Sequence, residues 1–320
     1  MQNAAIAFAL IAVTATVSPV TAQSYPTKPV RFIVGFPAGG TVDLVARGLG
    51  QKLSPAWGQP VVVDNRVGAN GTIATDHVAK SAPDGLTVLV AFSSHTINPV
   101  LYEKLPYDAQ RDFVPITLLA TVPNVLVVHP SLPVKTVRDL VALAKARPGQ
   151  ISYASSGNGS PAHVAAELFK KMANVQLVHV PYKGGPPHIV SVISGETGLV
   201  FTTVFLGLPH IKTGKMRAVA VTAIKRAPVL PEVPTVAETL PGYESVSWYG
   251  MFVPRGTPAA TADKLHADVV GVLRAPDFRE WLVVQGAEPV GSTQAEFGAQ
   301  VAKEFQSWPA MLKEIGAKVE

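Results

Sequence analysis

Apolar and polar positions fall into short blocks along this chain. Val30-Arg31-Phe32-Ile33-Val34 is a β-branched run that predicts a strand, and a Gly-rich turn follows it. Beyond the turn, Val42, Val45, Ala46, Leu49 and Leu53 recur at three- and four-residue spacing, which is one face of a helix. Val61 to Val63 predicts a second strand and residues 72–80 a helix. Leu86 to Phe92 predicts a third strand that ends in Ser93-Ser94. The order is βαβαβ, and strands apolar at nearly every position predict a parallel sheet covered on both faces.

The pattern then restarts. Val125 to Val128 predicts a strand, and Thr136 with Asp139 three residues on predicts a capped helix running to Arg147. Ile151 to Ala154, Leu177 to Val180, Leu199 to Thr202 and Met216 to Val221 predict further strands, with helices between them. After the Pro-rich stretch 231–241 comes one more strand, Trp248 to Val253, and C-terminal helices begin near Pro258. Two doubly wound, Rossmann-like α/β units follow. Extended crossings near Pro123-Asn124 and Trp248-Tyr249 are the candidate hinges, and two crossings make the first unit discontinuous. The expected division is 23–123 with 250–320 as domain 1, and 124–249 as domain 2.

The N-terminus changes the picture. Residues 1–22 carry no Lys, Arg, Asp or Glu, and Val20-Thr21-Ala22 places small residues where a signal peptidase cuts. The segment predicts a cleaved secretory leader, although no basic residue precedes its apolar part. Pro19 makes it a poor membrane span, and nothing after it approaches one. The chain has no cysteine, which removes disulfides, thiolate catalysis and lipoprotein anchoring. A free periplasmic protein, expected as a monomer, fits best. Lys and Arg number 27 against 22 Asp and Glu and are scattered, so no nucleic-acid stripe is present.

Two loops carry the candidate chemistry. Residues 35–43, GFPAGGTVD, join a strand to a helix. Gly39 and Gly40 permit close backbone approach, and the helix start aims free N–H groups at whatever sits above it. Residues 155–163, SSGNGSPAH, repeat the arrangement. There Pro161 suits the first helical turn, Ser155, Ser156 and Ser160 add hydroxyls, and His163 stands in the first turn of the helix. One such loop per domain, at the carboxyl ends of strands, makes a two-sided anion cradle if the domains close on each other.

Other chemistries fit less well. No Lys-Ser/Thr follows the first loop as in a nucleotide triphosphate site. No G-x-S-x-G elbow or H-E-x-x-H pair occurs, so neither a hydrolase nor a metal site is expected. Gly157, Gly159 and Ala162 do match the dinucleotide pattern G-x-G-x-x-A. No acidic residue follows to hold a ribose, but Lys183 could meet a 2′-phosphate. An NADP-dependent oxidoreductase is therefore the alternative reading. The leading reading is a binding protein without a cofactor or catalytic residues.

The chain resembles the Bug family, the extracytoplasmic solute receptors of tripartite tricarboxylate transporters. The resemblance rests on GFPAGGTVDLVAR, GQPVVVDNRVGANGTIA, PDGLTVLVAFSSHTINPVLY, NVLVVHPSLP, ISYASSGNGSPAHVAAELFK, HVPYKGG, LPHIKTGK, PEVPTVAETLPGY and SWYGMFVPRGTP. It covers residues 25–320, and it implies a type II periplasmic-binding-protein fold that closes like a flytrap on a small organic carboxylate. The membrane subunits of a transporter, or a sensor protein, would be its partners. Carried over by position, Phe36, Ala38, Gly39, Gly40 and Asp43 would form one wall of the site. Ser93 and Ser94 would adjoin it, with Ser155, Ser156, Gly157, Ser160 and His163 opposite. The chain departs from the family where many members read M-F-D-N-L-P. Here residues 200–205 are Val-Phe-Thr-Thr-Val-Phe, and Thr202 occupies the usual acidic position beside Thr203. That implies a less negative, more apolar wall and a carboxylate ligand without an amino group.

Overall fold

The structure is a computed structural model and describes residues 25–316. The predicted leader lies outside the described residues. The first half of the molecule is built from β1 (Val30–Val34), α1 (Thr41–Trp57), β2 (Val61–Asn65), α2 (Thr72–Ala79), β3 (Thr87–Phe92) and α3 (Ser94–Leu101). A long strand, β4 (Phe113–Val128), leads into α4 (Val137–Ala146), β5 (Ser152–Ser155), α5 (Pro161–Ala173) and β6 (Val178–Pro181). Then come α6 (Gly185–Ile193), β7 (Leu199–Thr203), α7 (Val204–Lys212) and β8 (Arg217–Val221). The return strand β9 (Val246–Pro254) is followed by α8 (Ala259–Arg274), α9 (Pro276–Val284), β10 (Glu288–Pro289) and α10 (Gln294–Ile315).

The sheet runs β2-β1-β3-β9-β4-β7-β5-β6, with β8 and β10 also pairing to β4. Its two wings explain the apolar runs. In β1, Phe32 packs with Val45, Leu49 and Leu53 of α1, while Ile33 faces Leu89, Phe252 and Phe297 on the other side. In β4, Leu126 and Val128 join one core and Val125 and Val127 another. A strand covered on both faces must be apolar at consecutive positions, whatever the direction of its neighbours.

The parallel order expected of the first three strands is present, and antiparallel strands join that wing to the other. β1 is parallel to β2 and β3, and β5 is parallel to β6 and β7. β9, however, is antiparallel to β3 and β4, and β4 is antiparallel to β7 and β8. Burial on both faces is the only property the apolar run reports, so it could not distinguish these cases.

The crossings are long strands rather than short connectors. β4 pairs with β9 as far as Pro123↔Val246, and from Asn124↔Thr203 onward it pairs with β7. The exchange of partners thus falls between Pro123 and Asn124. At the C-terminus, Leu312 and Ile315 of α10 pack with Ile97 of α3 and Val164 of α5, so the last helix touches both wings. The capping box expected at Thr136 and Asp139 is present at the start of α4.

Candidate functional site

The first loop is held from beneath by Asp43. Gly39 takes a φ of +78°, and Gly40 is the extended residue at the N-cap of α1. The Gly39 N–H donates to Asp43 Oδ2 at 2.9 Å, Arg47 Nε donates to the same oxygen at 3.0 Å, and Asn65 Nδ2 donates to Oδ1 at 2.9 Å. Burial alone would raise the Asp43 pKa, but Arg47, the Gly39 N–H and Asn65 together hold it below the ordinary value. Both carboxylate oxygens are engaged, and Asp43 does not line the cleft. It fixes the loop in place. Ala38 and Gly39 form the exposed tip of the loop, and only Phe36 and Gly40 of the five expected residues reach the cavity wall.

In the second loop most polar groups also serve the loop itself. Ser155 Oγ accepts from the Gly157 N–H at 3.1 Å and lies 2.6 Å from His179 Nε2. Ser160 caps α5, accepting the His163 N–H at 3.3 Å, and His163 Nδ1 accepts the Gly159 N–H at 3.0 Å. The His163 ring stacks on His179 with centroids 4.1 Å apart, and His179 stacks on Tyr153 at 4.8 Å. Burial pushes His163 below its ordinary pKa and His179 down to about 3. This is a neutral imidazole stack beneath the loop, and of the residues expected at the site from this loop only Ser156 lines the cleft, with Ala162 beside it. The dinucleotide-like turn is occupied from above: a Cβ on Gly159 would lie 2.3 Å from Leu101 Cδ1 of α3.

Ser93 and Ser94 are buried, but they turn away from this cavity. Ser93 is the residue before α3 and borders a small cavity near Trp248, whereas Ser94 is the first residue of α3 and borders another behind Phe36. That placement departs from the expected position beside the ligand. The physical reason is that the chain turns into a helix directly after β3, which carries both side chains off the strand axis.

What the structure does bring together is a narrow cavity of about 40 Å³ between the wings. It has room for a few waters, since one needs roughly 10–15 Å³. Its first wall is Phe36, Gly40, Thr41, Val42 and Phe92, and its floor is Asn124 of β4 and Tyr249 of β9. Opposite stand Ser156, Ala162, Gly185, His188, Phe201, Thr202, Thr203 and Leu206. The first residues of α1 and α6 and the N-cap residue of α7 all border it, and helix starts favour negative charge. No Asp, Glu, Lys or Arg lines it.

Three polar atoms of these lining residues are buried without a partner: Asn124 Nδ2, His188 Nδ1 and the Tyr249 hydroxyl. Each is costly to leave unmade, so a site that gathers three is arranged for something that completes them. Burial raises the Tyr249 phenol well above its ordinary pKa, against the opposing effect of Thr41 and Thr203, so it stays protonated. Asn124, Tyr249, His188, Thr41, Phe92 and Phe201 were not among the expected site residues. A buried Asn in the apolar run of β4 and a Tyr at the expected crossing were the available signals. Among the described residues no group of three His, Asp or Glu could hold a metal ion.

Residues 45–317 match the tripartite tricarboxylate transporter family receptor. BugT of Bordetella pertussis is 36% identical over 313 residues, covering 97% of this chain and 96% of BugT. A solved structure of R. palustris Rpa4515 with adipate superposes with a TM-score of 0.90 at 38% identity, covering 92% of this chain and all of that one. The periplasmic binding protein BugD gives a TM-score of 0.88 at 33% identity, covering 92% of this chain and all of BugD. The architecture is therefore the two-lobed type II periplasmic-binding fold.

Proposed function

Because this chain belongs to the tripartite tricarboxylate transporter receptor family, we propose that it is a periplasmic receptor for a small organic carboxylate. The ligand sits in the cleft between Gly40 and Ser156, and the receptor hands it to the membrane subunits of a transporter or to a sensor. In this reading residues 23–123 with 250–320 form one lobe and 124–249 the other, and β4 and β9 are the hinge strands. Export follows from the leader-like residues 1–22.

The observation that carries this reading is the cavity's polar inventory. Helix starts and the donors Asn124 Nδ2 and Tyr249 OH supply hydrogen bonds to an anion without a fixed cation. Hydrogen bonds to a charged group contribute roughly 1.5–3 kcal/mol each. A few of them, with burial against Phe36, Phe92 and Phe201, offset an association cost of roughly 4–15 kcal/mol and leave the ~8 kcal/mol of a micromolar complex. Neutral donors also keep release feasible. With no carboxylate in the wall, an ammonium group would be desolvated without a charged acceptor, so the receptor prefers acids that lack an amino group.

The test is calorimetric titration of refolded, ligand-free protein with matched pairs such as glutarate and glutamate, alongside NADPH. Saturable binding of the amino-free acids, and no response to NADPH, is the expected result. Tighter binding of the amino acids across several pairs would overturn the ligand preference. Nucleotide binding without carboxylate binding would overturn the receptor reading itself.

A further inference from the structure

The first turn of α6 brings His188 into the cavity wall, where it is fully buried. Its Nε2 lies 3.1 Å from the Thr202 hydroxyl of β7, and its Nδ1 has no partner. Gly185 and Leu206 border it within the same lobe, with Phe201 beside Thr202 on β7. Ser191, one turn further along α6, donates to the His188 carbonyl and so leaves the ring untouched. No charged side chain lines the cavity around it, and burial pushes its pKa down to about 3. The ring is uncharged at neutral pH, and its single N–H must sit on one nitrogen or the other.

The hydrogen-bond count decides which. With the proton on Nε2, the ring donates to Thr202, and both the Thr202 hydroxyl proton and Nδ1 are left unmade. With the proton on Nδ1, the Thr202 hydroxyl donates to Nε2, and one N–H is left over. Leaving one buried group unmade costs less than leaving two. Thr202 thus holds the tautomer in which Nδ1 is a donor.

We infer that His188, held by Thr202, is a specificity-determining residue whose Nδ1–H donates to a second oxygen of the ligand, so that the receptor selects acids with an acceptor at both ends. The inference rests on the carboxylate-receptor reading. The cavity lining carries two polar groupings. Asn124 pairs in register with Thr203, whose hydroxyl lies against Thr41, and Tyr249 shares the floor with Asn124. His188 and Thr202 form a separate polar pair one residue earlier on β7. Phe201, Phe36 and Phe92 supply apolar wall for the carbon chain.

The experiment titrates adipate and hexanoate, equal in length and differing by one carboxylate, into stripped wild type, His188→Leu and His188→Asn. Asn keeps an N–H donor near the position of Nδ1. Wild type is expected to bind adipate about tenfold or more tightly than hexanoate, the scale of a hydrogen bond to a charged group. His188→Leu is expected to erase that ratio by weakening adipate far more than hexanoate, and His188→Asn to restore part of it. Thermal unfolding of each variant confirms that it is folded. An equal loss for both acids in His188→Leu, or an unchanged adipate preference, would overturn the inference and leave the receptor reading standing. Binding of no organic acid by wild type would overturn both.

Discussion

The Thr41 hydroxyl, on the first residue of α1, lies 3.0 Å from the hydroxyl of Thr203, the N-cap residue of α7. Both residues line the cavity, and their contact spans it from one wall to the other. A neutral hydrogen bond of this kind contributes about 0.5–1.5 kcal/mol. Thr41→Val keeps the side-chain shape and should weaken carboxylate binding by roughly 2- to 12-fold. Thr203→Val also removes the cap on Leu206, so it should lose stability as well. A double-mutant cycle on affinity checks the coupling, and strict additivity of the two variants would refute a shared bond.

Tyr249 presents a different balance. Its hydroxyl is buried without a hydrogen bond of good geometry, with the Thr41 and Thr203 hydroxyls as its polar neighbours, so removing it breaks only a weak contact. Tyr249→Phe should leave unfolding stability equal or slightly higher, while carboxylate affinity falls by about tenfold. Calorimetry and urea unfolding on the same preparation separate the two effects. A destabilised variant with unchanged affinity would assign the hydroxyl to the hinge rather than to the ligand.

The close approach of the two loops is made by a glycine facing a proline. Gly184 has a φ of +99°, and a Cβ there would lie 2.4 Å from Pro37 Cδ in the first loop. The proline ring cannot swing aside, so Gly184→Ala must part the loops as well as strain its own backbone. Scattering at saturating ligand should show a larger radius of gyration than wild type, with binding weakened by an order of magnitude or more. A wild-type radius and affinity would show that the loops do not need this approach.

Buried neutral histidines make the protein acid-sensitive well above the carboxylate range. His95 and His188 are held near 4 and 3 by burial, and His179 near 3, mainly by burial. Each folded pKa lies below the unfolded value of about 6.5, so the unfolded chain takes up protons first as pH falls. Stability is complete above about pH 6.5 and is lost progressively down to about 4 for His95 and about 3 for His188, at roughly 1.4 kcal/mol per pH unit for each of these two, while solvent screening makes the share of the partly exposed His179 smaller. Urea unfolding between pH 7.5 and 5 should show this slope, and His188→Leu should reduce it by one proton's worth. A flat profile over that interval would contradict the neutral assignment.

Much of this architecture was legible in the amino-acid order, and the exceptions have identifiable causes. The strand at Val30, the helix face from Val42 to Leu53 and the box at Thr136 with Asp139 are local signals, set by side-chain period and by hydrogen bonds within a few residues. The first part of β4, from Phe113 to Val122, was missed because Pro115 interrupts it, and α3 because Pro99 sits inside a short helix. At the site, the glycine loops announced themselves through backbone freedom. The groups left free for a ligand did not, since only packing shows that the polar atoms of Asp43, Ser155 and His163 are already engaged while Asn124, His188 and Tyr249 each keep one unpartnered atom.

The floor of the cavity is made by Asn124 and Tyr249, which lie on the two strands that carry the chain between lobes. In the proposed receptor, ligand contact and mechanical articulation would be vested in the same residues. A change of ligand preference achieved at either position also alters the stiffness of the joint, so drift there is coupled drift in two traits. The α6 and β7 wall belongs to neither of these strands: His188 lies on α6, and Phe201 and Thr202 lie on β7, paired with Leu126 and Val125 of β4. Descendants of this receptor that acquire new ligands should accumulate substitutions on that wall and leave the floor unchanged.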